Sequence, residues 1–211
     1  MSEIRLLLRI AEERGGVKPG FSPYHVFRAL DMLHRHSVCG RHELMKELGL
    51  GEASIKTLIS RLKEAGLVET SRPYGTKLTE TGKELATKLK RLIKLIPNLE
   101  LSEMCMNCRV SGIILSKGYS YVPVVGGVIL FRDLVVREGA DGVLIITCSG
   151  RTLYLPTPSG FEEVRVEALN RLVGEYGVGD GDLIVLGMCY SHDGERCLAA
   201  AVNTVLKILA S

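Results

Sequence analysis

From Ser22 onward the chain places apolar residues at helical spacing. Val26, Leu30 and Leu33 recur at i, i+4 and i+7, behind an N-cap serine and a proline, Ser22-Pro23. This pattern predicts a helix running to about His36. After Gly40-Arg41, a short helix is predicted over 43–48, stopped by Gly49 and followed by the turn Leu50-Gly51. A third helix is predicted over 52–65. Ile55, Leu58, Ile59 and Leu62 share its apolar face, leaving Ser54, Lys56, Thr57, Ser60, Arg61 and Lys63 largely outside it. Residues 67–70 and 77–79 then read as two short strands around the basic loop 71–76. From Thr79-Glu80-Thr81-Gly82 a last helix is predicted to end at Pro97. Its Leu85, Leu89, Leu92 and Ile96 repeat at i, i+4, i+7 and i+11, a stripe suited to packing between domains or against a second copy.

Helix, turn, helix and a basic two-stranded loop follow one another in the order of a helix-turn-helix with a wing. Residues 48–85, LGLGEASIKTLISRLKEAGLVETSRPYGTKLTETGKEL, resemble the winged helix-turn-helix transcription regulators of bacteria and archaea. The more specific pieces are LGLGEASIKTLISRLKEAGLVE and KLTETGKEL. The resemblance implies that the third helix enters the major groove of double-stranded DNA, that the wing lies along the backbone or minor groove, and that the protein is a homodimer on palindromic sites. On this reading Lys56 and Arg61 reach guanine edges or phosphates, and Ser54 and Thr57 bond phosphates near the helix start. Ser60 shares their face, and Arg72 and Lys77 in the wing and Arg41 at the second helix meet the backbone. With all of these taken as exposed, charge reversal at Arg61 and Arg72 is expected to remove DNA binding without harming the fold.

Beyond about Glu100 strands alternate with helices. Strands are predicted over 109–115 and 183–188, a hairpin over 143–148 and 152–155 around Ser149-Gly150-Arg151, and helices over 131–138, 161–174 and 194–209. The fold expected is therefore α+β: a winged helix-turn-helix domain over 1–97, then a compact α/β sandwich over 98–211 that senses an effector or mediates assembly. The run FRDLVVREGADGVLIITCSGRTLYLP, residues 131–156, resembles an uncharacterised domain found behind winged helices in archaeal proteins. Arg132 and Asp133, near a predicted helix start and beside Gly126-Gly127, form a candidate small-molecule site in which backbone approaches closely and arginine holds an anion. An Arg-Asp pair bracing the helix is the other reading of the same residues.

Charge divides the two halves. Up to Pro97 there are 18 Lys and Arg against 11 Asp and Glu, and beyond it 9 against 13. A polyanion therefore suits only the first half. The 211 residues carry no apolar run of membrane-spanning length and no visible signal peptide, so a cytoplasmic protein without a membrane partner is expected. Six cysteines in that setting are expected as reduced thiols. Cys105-x2-Cys108 has the spacing of half a zinc site or a redox pair, but no second CxxC completes it, and no metal or cofactor is expected. Asp180, Asp182, Asp193 and Glu195 sit in ordinary turn compositions. No catalytic signature occurs. The function expected is a DNA-binding transcription regulator with a small-molecule effector; the alternative is a metabolic enzyme carrying a DNA-binding domain.

Overall fold

A computed structural model describes every residue except Met1, Arg72, Pro73, Pro158 and 191–193. It is a mixed helix and sheet structure that divides into two units, one up to Arg91 together with Leu209–Ser211, the other Leu92–Ile208.

The first unit begins with α1 (Ser2–Ile10), a helix the sequence reading missed, whose Ile4, Leu7 and Ile10 are buried. Next come α2 (Pro23–His36), α3 (Arg41–Leu48) and α4 (Glu52–Glu64). Gly49 closes α3 in the left-handed conformation, φ 60°, which glycine adopts without steric cost. Strands β1 (Val68–Ser71) and β2 (Gly75–Leu78) pair antiparallel, Val68 opposite Leu78 and Ser71 opposite Gly75. Cys39 and Thr76 exchange backbone hydrogen bonds that tie the α2–α3 connection to β2. The α5 helix (Glu80–Leu92) is started by Thr79, whose hydroxyl accepts from the Gly82 amide, and it buries Leu85 and Leu89. Here the sequence reading needs correction. Ile93 begins a strand, so Ile96 and Pro97 are not helical, and Leu85 and Leu89 are buried within the chain.

Burial pushes the Cys39 thiol up from its ordinary 9.0 to about 11, with the nearby Glu43 carboxylate adding to the shift. The folded state thus holds a proton that the unfolded chain releases earlier. The resulting stabilisation is complete below about pH 9 and is lost as pH rises through about 11. The urea midpoint is expected to fall over that interval, and Cys39→Ala should flatten the fall; an equal fall in the variant would locate the titration elsewhere.

The second unit is built on a six-stranded sheet in the order β3-β4-β8-β5-β6-β7, with every neighbouring pair antiparallel. Its strands are β3 (Ile93–Leu99), β4 (Arg109–Leu115), β5 (Gly142–Ser149), β6 (Thr152–Thr157), β7 (Gly160–Glu163) and β8 (Leu183–Cys189). Pro97, which lacks an amide proton, falls at a register shift in the edge strand β3. The expected hairpin is present: Gly150 and Arg151 both take positive φ between Ser149 and Thr152, as a tight two-residue turn requires. After β4 come the short helix α6 (Tyr121–Val124) and α7 (Val128–Arg137); α8 (Glu167–Tyr176) and α9 (Gly194–Ala210) follow β7 and β8. The 161–174 helix is thus corrected at its start, since Phe161 pairs with Pro156 in a strand. Alternate residues of β4, β5 and β8 face opposite ways: Val110, Ile114, Ile146, Ile184 and Leu186 pack with Leu169 and Leu172 of α8. On the other face Gly187 admits α9, where an added Cβ would meet Cys197 Cβ at 3.0 Å.

Candidate nucleic-acid interface

The first unit gathers several of the predicted contact residues. Arg41 of α3, Lys56, Ile59 and Ser60 of α4, and Thr70 and Ser71 of β1 line one groove of about 360 Å³, together with Gly75 and Thr76 of β2. The sequence reading did not include Thr70 and Ser71. Their exposed side chains follow from the register of β1, which buries only Val68 of its four residues.

The cations on this surface are already paired. Lys56 Nζ lies 2.8 Å and Arg41 Nη1 3.6 Å from the same Glu52 carboxylate, and Lys77 Nζ 2.9 Å from Glu69, its cross-strand partner. The hydrogen bond and charge of Lys56 hold the Glu52 carboxyl below the usual carboxylate range. All of these groups are solvent-exposed, where such pairs contribute little stability and exchange readily for another anion. Thr57 is exposed but donates back to the Ala53 carbonyl at 3.0 Å; the Ser60 hydroxyl donates to Glu64 at 3.3 Å. Ser54 is half-buried, its hydroxyl against Gly20, where an added Cβ would stand 2.5 Å from Oγ. Arg72 lies outside the described residues.

Arg61 is a correction. It is 7% exposed, and its Nη1 donates to the backbone carbonyls of Ile10 at 2.7 Å and Glu12 at 2.6 Å. Its guanidinium carbon lies 5.6 Å from the Phe21 ring centre. An arginine held this way faces protein and not solvent. Reversing its charge would damage the fold, against the expectation drawn from the helix pattern.

In the second unit, Gly126 and Gly127 take φ values of 92° and 110°, and Gly127 caps α7, so the turn itself accounts for both. Arg132 and Asp133 stand exposed in the second turn of α7, three residues further into the helix than predicted. An unpredicted cavity of about 480 Å³ lies elsewhere, lined by Tyr119, Thr147, Cys148, Ser149, Tyr154, Phe161 and Gly181. Its residues come from separate elements, so no local motif announced it.

Four cysteines predicted as reduced thiols are paired: Cys105 with Cys108, Cα atoms 5.8 Å apart, and Cys189 with Cys197, 6.0 Å apart. Cys105 and Cys108 belong to the α8 side of the sheet, whereas Cys197 projects from α9 against the opposite face, so the two pairs do not converge on one metal. Cys39 and Cys148 are free and buried, and burial also pushes the Cys148 thiol up. Asp180 and Asp182 accept backbone amides, Asp180 from Gly150 and Asp182 from Lys117 and Gly179. His192 and Asp193 lie outside the described residues.

A family described as "Domain of unknown function (DUF4443)" matches residues 108–208. No curated protein matches the chain. A solved structure, the hypothetical protein PH0730 from Pyrococcus horikoshii OT3, is 21% identical with a TM-score of 0.62 over 90% of this chain and 98% of its own. The two share a fold. An IclR transcriptional regulator from Alicyclobacillus acidocaldarius aligns over 89% of this chain and 96% of its own, at 11% identity and a TM-score of only 0.30. Among the described residues no single helix is long and apolar enough to cross a membrane.

Proposed function

We propose that the first unit is a winged helix-turn-helix domain that binds double-stranded DNA, with α4 in the major groove and the β1–β2 hairpin as the wing along the backbone. On this reading the chain is a transcription regulator, and its second unit senses a small molecule or mediates assembly. The observation that carries the proposal is the single groove lined by Arg41, Lys56, Ser60, Thr70 and Ser71. It belongs to a unit with 17 Lys and Arg against 11 Asp and Glu up to Arg91. Phosphates would replace Glu52 and Glu69 as partners of Arg41, Lys56 and Lys77, and the condensed counterions they release would make binding steeply salt-dependent. Arg61 has no part in this contact.

The test is fluorescence anisotropy of a labelled random-sequence duplex titrated with the full chain at several salt concentrations. Lys56→Ala and Lys77→Ala are each expected to flatten the slope of log K against log salt by about 1, and Lys56→Ala to weaken binding about tenfold. Circular dichroism of both variants should match the parent, because both side chains are exposed. Absence of duplex binding at low salt, or binding indifferent to both substitutions, overturns the proposal. Selection from a random duplex pool then separates a regulator, which enriches a motif, from a protein that binds DNA without sequence preference.

A further inference from the structure

Helix α7 buries Phe131 and Val135 and turns a different stripe outward. Ile129, Arg132, Asp133 and Val136 stand at i, i+3, i+4 and i+7 on its solvent side. Ile129 is 65% and Val136 44% exposed, with Leu130 at 50% beside them and Val124 of α6 at 71%. Isolated exposed apolar residues need no explanation, but this many within thirteen positions form a patch of the kind that marks an interaction site.

The charges at the centre of the stripe indicate its occupant. Arg132 and Asp133 form no ion pair among the described residues, and neither does Arg137 at the end of the helix, while Glu138 pairs with Lys207 and Asp141 with Arg196. The stripe is also self-complementary. A second α7 laid antiparallel about an axis between positions 132 and 133 sets Arg132 of one copy against Asp133 of the other, twice. The same axis sets Ile129 of each copy against Val136 of the other. Such a contact closes on itself, as a two-fold homodimer interface must. A lipid surface suits this patch poorly, because it would have to bury a carboxylate and a guanidinium at its centre without partners.

We infer that α7 is the surface through which two copies of this chain pair, with the Ile129–Val136 contacts supplying apolar burial and the reciprocal Arg132–Asp133 pairs setting register. The inference rests on the second unit alone and is independent of what the first unit binds. It also accounts for Arg132 and Asp133 without a small molecule.

Sedimentation velocity of the full chain across about 1–100 μM tests it, a range that resolves weak and moderate homodimers. The parent is expected to reach twice the 23.1 kDa chain mass. Arg132→Asp and Asp133→Arg each place like charges opposite one another and should weaken the dimer about tenfold or more. An equimolar mixture of those two variants restores opposite charges at both contacts and should recover dimers, as should the chain carrying both substitutions. Ile129→Lys should dissociate the dimer with no rescue from the swap. A parent that stays monomeric across the range overturns the inference, as does a dimer indifferent to both single reversals or a loss that neither the mixture nor the swap recovers. Thermal unfolding of each variant at monomer concentrations checks that the fold is intact.

Discussion

Arg61→Ala is expected to cost the first unit about 3 kcal/mol in urea unfolding, because it leaves two backbone carbonyls without donors. Ile10 is the last residue of α1, and Glu12 lies just beyond it, so their oxygens are among those a helix cannot satisfy internally. A guanidinium there supplies two charge-assisted hydrogen bonds, places positive charge at the negative end of the helix dipole, and packs over Phe21. Arg61→Lys keeps the charge but loses the planar fork, and should cost about 1 kcal/mol. A variant Arg61→Ala with an unchanged midpoint would show that α1 does not depend on this contact. The substitution also separates fold from function. If the first unit binds DNA as proposed, any loss of affinity in Arg61→Ala should track the unfolded fraction, whereas the loss in Lys56→Ala should appear in a fully folded protein.

Gly112→Ala is expected to destabilise the second unit by about 3 kcal/mol, the upper end for overpacking, because the new methyl group runs into the backbone of β8. Gly112 sits in β4 opposite Ile96 of β3 and Leu186 of β8. A Cβ there would overlap the Val185 carbonyl oxygen and lie 2.8 Å from Leu186 Cα. A flexible side chain could move aside; a strand backbone held by its own ladder cannot. The measurement is the urea midpoint together with near-ultraviolet circular dichroism from the tyrosines, several of which belong to this unit. Stability within about 0.5 kcal/mol of the parent, the usual range for a harmless surface change, would mean that β4 and β8 lie further apart than described.

Local patterns proved most readable where one element determines them. The limits of α2 and α4, the glycine stop after α3, the Gly150-Arg151 turn, and the strands β4 and β8 all follow from spacing or turn chemistry within a few residues. The apolar repeat through Leu85, Leu89, Leu92 and Ile96 misled for a physical reason. Ile93 pairs with Leu115 and Ile96 with Gly112, and a strand partner distant in sequence overrides helical spacing once the ladder is available. Phe161 was misread although its strand partner is near, since its pairing with Pro156, five residues back, places it in β7. Of the expected interface, Arg41, Lys56 and Ser60 do meet in one groove, and Arg61 does not belong to it.

What the sequence determined by itself was the run α2, α3, α4 with the β1–β2 pair, the strands β4, β5, β6 and β8, and the division of charge between a basic first half and an acidic second. All are sums over neighbouring residues, so no tertiary contact is needed to read them. Tertiary structure alone decided which polar side chains face solvent. Arg61 lies at the flank of the apolar stripe of α4, and its carbonyl partners are some 50 residues away, at and just beyond the end of a helix whose docking no local pattern announces. Arg132 and Asp133 show the converse: adjacent charges that read as a pair or a ligand site stand exposed on the outer face of α7, because Phe131 and Val135 bury the other. Burial is a property of what packs against a residue, and for these side chains the packing partner is distant in sequence.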